Sequence, residues 1–238
     1  MNEPWSVLIT GPASGLERWA KAAEQVGWRA EKLPLVTIEE TGNEILAADA
    51  DLPDWVAITS ANALPALARA ALARPELAEQ PLVCVGQATA ERAMELGLPE
   101  PRLPAPGAQN AAGLAATLLE HATPGERVLW PRGDRSRDFG ERLEQAGLLV
   151  QDPVVYHTTL LALEREPPST DAVFFASPSA VCAWRAEERT ALPAAIAMGW
   201  TTYDALEPLA ERFSMLLPLA TPSLASFQDC LQSFIPSE

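Results

Sequence analysis

The chain of 238 residues repeats itself at a spacing close to half its length, and no other feature limits its architecture as strongly. The stretch WVAITSANAL (Trp55 to Leu64) returns as AVFFASPSAV (Ala172 to Val181), and Ser177 stands 117 positions after Ser60. Downstream, VCVGQATAERAMELG (Val83 to Gly97) corresponds to AIAMGWTTYDALEPLAERF (Ala195 to Phe213). Upstream, VLITGPASGLERWAKAAEQVGWRAEKLPLV (Val7 to Val36) corresponds to VLWPRGDRSRDFGERLEQAGLLVQDPVV (Val128 to Val155), which aligns Pro34 with Pro153. One matching strand is a common accident; three matches in one order are not. A period near half the chain is far longer than a solenoid repeat, so two similar domains from an internal duplication are expected.

Each copy alternates short apolar runs with amphipathic helical stretches, the pattern of parallel βαβ units whose sheets are covered on both faces. The runs VAIT, VCVG, VLW, AVFFA and AIAMG are almost wholly apolar, as strands buried on two sides should be. Gly27, Gly97 and Gly147 each follow a helical stretch where a left-handed residue would end the helix. The proline-rich segment Leu98 to Asn110 reads as an exposed loop, with Asn110 as the N-cap of the next helix.

A formal charge of −15 opposes nucleic-acid and anionic membrane partners. No apolar run is long enough to span a bilayer and the N-terminus carries no secretory signal, so a cytoplasmic location is expected. The cysteines, Cys84, Cys182 and Cys230, lie far apart and read as buried or inert thiols. With His121 and His157 as the only histidines, no metal site is expected.

Ligands of open parallel sheets bind at the carboxyl ends of strands. The polar residues of the repeat fall there: Thr59, Ser60 and Asn62 after the first strand phrase, Ser177 and Ser179 after its copy, Thr89 after VCVG, Thr201 and Thr202 after AIAMG. Each could simply cap a helix. As a set, they could instead offer hydroxyl and amide donors to an oxyanion-rich ligand across a cleft between the two domains. From Arg127 to Arg137 four arginines (Arg127, Arg132, Arg135, Arg137) stand against one acid, Asp134. Such a reversal in an acidic chain suits an anion, or else a solvated turn paired with Asp138 and Glu141. The RGD tripeptide within it reads as accidental. GPASG (Gly11 to Gly15) lacks the residues of a phosphate loop, and no HExxH, GxSxG or CxxC is present. Tyr156, where the chain leaves the second copy of the strand ending PVV, could reach a cleft or simply be packed.

Taken in order, ITSANA, VGQATA, RGDRSRD, PVVYHT, FFASPSAV and MGWTT make the chain resemble the uroporphyrinogen-III synthase family over essentially its whole length. The resemblance implies an α/β protein of two similar lobes with parallel sheets flanked by helices, joined by a two-stranded linker, with the active site between the lobes. It also implies interleaving: residues 1–35 with 158–238 in the first lobe, 36–157 in the second, and linkers near 33–37 and 153–159. The implied activity cyclises hydroxymethylbilane to uroporphyrinogen III, with loss of water and inversion of ring D, and needs no cofactor or metal; with the cleft inside one chain, a monomer suffices. Tyr156 matches the family's tyrosine and would assist departure of the hydroxyl. Ser60, Asn62, Thr89, Ser177, Ser179, Thr201 and Thr202 would hold substrate carboxylates, with Arg132 and Arg137 adding charge. Two departures stand out: Gly11 where many members carry arginine, and Trp200 and Tyr203 around the threonine pair. The rival readings are a two-lobed binding module for an anionic small molecule and a nucleotide- or sugar-handling enzyme.

Overall fold

The computed structural model describes residues 4–47, 50–135, 137–163, 166–184 and 192–234. In chain order its elements are β1 (Ser6–Pro12), α1 (Ala13–Gln25), β2 (Arg29–Glu40), β3 (Trp55–Ile58), α2 (Leu64–Ala73), β4 (Leu82–Cys84), α3 (Gln87–Glu95) and α4 (Ala111–Leu119). They continue as β5 (Arg127–Leu129), β6 (Arg132–Gly133), α5 (Asp138–Gln145), β7 (Leu149–Gln151), β8 (Val154–Leu160), β9 (Ala172–Phe175) and α6 (Pro178–Trp184). The last are β10 (Ala194–Ala197), α7 (Trp200–Leu206), β11 (Leu216–Pro218) and α8 (Leu224–Gln232). Two compact units share the chain, Met1–Thr37 with Thr159–Glu238, and Ile38–Thr158. The chain passes from one unit to the other within β2 and returns within β8.

Among the described residues the strands form a sheet in the order β11-β10-β9-β1-β2-β8-β6 and a second in the order β4-β3-β5-β7. In the first unit β2, β1, β9, β10 and β11 are parallel neighbours. In the second, β4, β3, β5 and β7 are parallel too, and Arg102 extends that sheet by a bridge to Val83. Every residue of β3, β4, β9 and β10 is buried, because both faces are covered. In the first unit Val7, Ile9, Phe174 and Ile196 pack with Trp19 of α1 and Phe227 of α8, while Phe175, one residue on, turns the other way to the ring of Trp184 in α6. In the second, Val56, Ile58 and Leu129 pack with Leu67 and Ala93, and Ala57, Val83 and Val128 with Leu114 and Leu143.

Local signals place the helix ends. Gly27, Gly97 and Gly147 have φ of 83°, 79° and 87°, the left-handed conformation that ends a helix at little cost only with glycine. The Asn110 side chain accepts a hydrogen bond from the Gly113 N–H and starts α4. Gly11, at φ 150°, serves a different need: a Cβ there would come within 2.7 Å of the Cβ of Ala176. Glycine stands where β1 and the end of β9 approach too closely for a side chain.

Burial differs from expectation at Cys182, which is exposed because it lies on the outer side of α6, while Cys84 is buried. Burial pushes the Cys84 thiol up to about 12, so it stays protonated at neutral pH. Removing the ring of Phe174, which lies 4.7 Å from both Trp19 and Phe227, should destabilise the first unit. We expect Phe174→Ala to cost about 3–5 kcal/mol in urea-induced unfolding.

Candidate functional site

Because both faces of each sheet are buried, polar side chains gather at the strand ends. In doubly wound sheets ligands enter where the strand order reverses, which is between β1 and β9 in the first unit and between β5 and β3 in the second. Protein atoms occupy both places. In the first, Gly11 and Ala176 close on each other; in the second, the Trp130 indole donates to Thr59 Oγ1 at 2.9 Å. Such packing does not suit a dinucleotide, which needs that crevice. Polar groups set beside these points remain.

After β3, Ser60 starts the short helical turn Ala61–Ala63 and its Oγ accepts from the Asn62 N–H at 3.3 Å. After β9, Ser177 Oγ accepts from the Ala180 N–H at 3.2 Å. Both serines therefore do cap, yet accepting uses a lone pair and leaves each hydroxyl proton to donate. Asn62 and Thr201 are exposed, and Ser179 is half-buried. Thr89 and Thr202 occupy equivalent places, three residues after Gly86 and Gly199, in the first turns of α3 and α7. They are 7% and 3% exposed. Neither side chain makes a hydrogen bond among the described residues.

Tyr156 lies in β8, packed in the second unit's core beside Val155, Val56 and Leu129, and is 9% exposed. Its hydroxyl makes no hydrogen bond among the described residues. Its ring rests on Gly133, the residue opposite it in the β6–β8 pairing.

The arginines are more committed than the sequence suggests. Arg132 Nε and Arg137 Nε both donate to Asp152 Oδ2, at 2.8 and 2.7 Å, and Arg137 also reaches Glu144 Oε1 at 2.9 Å. The carboxylates that partner them are thus Asp152 and Glu144, and not the Asp138 and Glu141 of the solvated-turn alternative; two turns of α5 bring Glu144 round to Arg137, and the pairing of β6 with β8 brings Asp152 alongside. Arg132 further donates to the Gly133 carbonyl at 2.9 Å and lies over the Trp130 ring. Arg135 is exposed and makes no ion pair among the described residues, while Ser136 lies outside them.

Partial burial raises the Asp152 pKa, but hydrogen bonds from Arg137 and Arg132 and their charges outweigh it and hold the carboxyl below its ordinary value. Asp134 behaves alike: burial opposes, while the Thr158 N–H and the His157 ring prevail and keep it low. Asp134 Oδ1 accepts from Thr158 N and Oδ2 meets His157 Nδ1, each at 3.1 Å. The RGD tripeptide is therefore a structural element: all three of its residues hold the 152–158 stretch. The sequence reading missed Asp152 and Gly133 and noted Asp134 only as the lone acid among the arginines; the signal available was that arginines concentrated in so acidic a chain need a counter-charge nearby.

A carboxylate held low in the fold contributes stability above its unfolded pKa, about 3.9, and that contribution is lost as pH falls through the lower folded value. Asp152→Asn should therefore lower stability by on the order of 1–3 kcal/mol near neutral pH. Thermal melts of the two proteins should converge as pH drops below the ordinary carboxylate range.

A family model described as "Uroporphyrinogen-III synthase HemD" matches residues 17–210. No match was found among curated proteins. Of solved structures, a mutant uroporphyrinogen III synthase of the extremely thermophilic bacterium Thermus thermophilus is similar at 19% identity and TM-score 0.64, over 95% of this chain and 98% of that one. The uroporphyrinogen-III synthetase of Helicobacter pylori is similar at 17% identity and TM-score 0.59, over 97% and 100%. At such identities these two establish the shared fold.

Proposed function

The chain belongs to the uroporphyrinogen-III synthase family, and from that membership we infer which of its side chains carry the work. The reaction is cyclisation of hydroxymethylbilane in tetrapyrrole biosynthesis. A terminal hydroxyl leaves as water, and the last pyrrole ring is inverted as the macrocycle closes. The substrate also cyclises unaided to the uninverted isomer, so the protein must control orientation more than it must activate a nucleophile.

Tyr156 is the proton donor in this reading. Its hydroxyl gives a proton to the departing hydroxyl as the carbon–oxygen bond breaks, directly or through one water. The observation that carries the assignment is a phenol hydroxyl with no hydrogen bond to the described residues, on a ring held by packing. A tyrosine suffices because the pyrrole ring itself pushes electrons toward the leaving group, leaving only modest acid assistance to supply.

Thr89 and Thr202, with hydroxyls uncommitted, and Ser60 and Ser177, with protons still to give, donate to substrate carboxylates. Asn62, Ser179 and Thr201 add further donors beside them. Arg132 and Arg137 contribute residual positive charge after Asp152 and Glu144 are counted, and Arg135 supplies a whole guanidinium. These donors fit eight carboxylates without forming one deep anion site, since each is weak alone. The reading includes action in the cytoplasm as a monomer, supported by the fact that one chain holds every group named. Among the described residues no helix is long and apolar enough to cross a membrane.

Freshly made hydroxymethylbilane, with resolution of the type III and type I macrocycles, tests the assignment. Tyr156→Phe should fold normally, turn over about a hundredfold more slowly, and yield an isomer ratio close to that with heat-killed protein. Unchanged turnover in the folded variant would remove Tyr156 from the mechanism.

A further inference from the structure

We infer that Gly133 is a positioning residue for Tyr156, held to that task by Arg132 and Asp134 on either side; the inference rests on the reading of Tyr156 as proton donor. A Cβ built on Gly133 would stand 2.5 Å from Tyr156 Cε2, 2.7 Å from Cζ and 3.0 Å from the hydroxyl oxygen. Those are the atoms of the phenol end, not of the ring's attachment. The working end of the tyrosine therefore lies directly on the Gly133 backbone, nearer than any side chain permits. Gly133 is not in the left-handed conformation, so space, not backbone freedom, is what glycine supplies here.

The neighbours fix that backbone on both sides. Arg132 spans from the Gly133 carbonyl to Asp152, four residues before Tyr156. Asp134 takes the N–H of Thr158 and the ring of His157, just after it. The strand register shifts between Arg132 and Gly133, which brings Gly133 opposite Tyr156. Three consecutive residues thus clamp β8 before, beneath and after the tyrosine. Since the hydroxyl makes no hydrogen bond of its own among the described residues, what the ring rests on decides where the proton is delivered. An added methyl would lift the phenol without changing its chemistry, and a displacement of about an ångström is enough to cost on the order of a hundredfold in rate.

The test uses the full chain labelled with 3-fluorotyrosine, whose two ¹⁹F resonances, from Tyr156 and Tyr203, are assigned with Tyr203→Phe. Gly133→Ala should move the Tyr156 resonance and leave that of Tyr203 in place. It should lower kcat about ten- to a hundredfold with KM within about twofold. In a Tyr156→Phe background the same substitution should lower kcat no further. Asp134→Asn, which loosens the clamp without adding volume, should shift the Tyr156 resonance and lower kcat by less; it answers the question if Gly133→Ala does not fold. A folded Gly133→Ala protein with an unmoved Tyr156 resonance and unchanged kcat overturns the inference, as does an equal loss of kcat in the Tyr156→Phe background. If instead Tyr156→Phe alone retains full turnover, the donor assignment fails while the resonance shift still reports the contact.

Discussion

Burial of both faces of each parallel sheet is the constraint from which the rest of the structure follows. A strand such as Ala172–Phe175, with no exposed residue, has no room for an unpartnered polar side chain, and the buried Thr10 of β1 spends its hydroxyl on the Phe174 carbonyl. Uncommitted hydroxyls gather instead in the turns beyond the carboxyl ends, where backbone N–H groups already await partners. The two copies of the repeat inherit the same restriction and so carry the same kinds of residue at the same kinds of place. Thr89 and Thr202, each three residues beyond a glycine at a strand end, illustrate this most directly.

The duplication fails at the stretch that carries the proposed proton donor. In the first copy the strand after the helix is continuous, β2 running from Arg29 to Glu40 through Pro34. In the second copy the corresponding stretch breaks at Asp152 and Pro153, so that β7 pairs with β5 in one sheet and β8 belongs to the other. Proline alone does not force the break, since the aligned Pro34 lies inside β2 in register with Gly11. The break leaves Asp152 off the strand and able to receive two arginines, and β8 begins afresh with Tyr156 at its third position. An ion triad at the seam between two strands is thus a by-product of the asymmetry and the anchor of the tyrosine.

What was legible in the sequence was local or periodic. Apolar runs marked the strands because burial on two faces tolerates nothing else, and Gly27, Gly97 and Gly147 marked helix ends because their backbone conformation disfavours other residues. The candidate hydroxyls were legible through the repeat, which identified them twice. Contacts between distant positions were not legible. The bond between Trp130 and Thr59 joins residues 71 apart, and nothing in either neighbourhood announces it. Gly133 beneath Tyr156 was hidden for another reason: its signal is an absent side chain, visible only once the facing strand is in place. The arginines stood out in the sequence, but the acids that hold them did not: Asp152 comes from beside the facing strand and Glu144 from two helical turns on.

The discontinuity of the first unit bears on how the chain is made. Strand β1 leaves the ribosome long before one of its two sheet neighbours, β9, which begins only at Ala172. Residues 38–158, by contrast, form a contiguous stretch holding every strand and helix of the second unit. During synthesis the inserted unit can therefore complete its core while the segment before it still lacks β9, β10 and β11. For that interval β1, buried from Ser6 to Thr10 in the finished fold, has one edge unpaired and needs protection from aggregation.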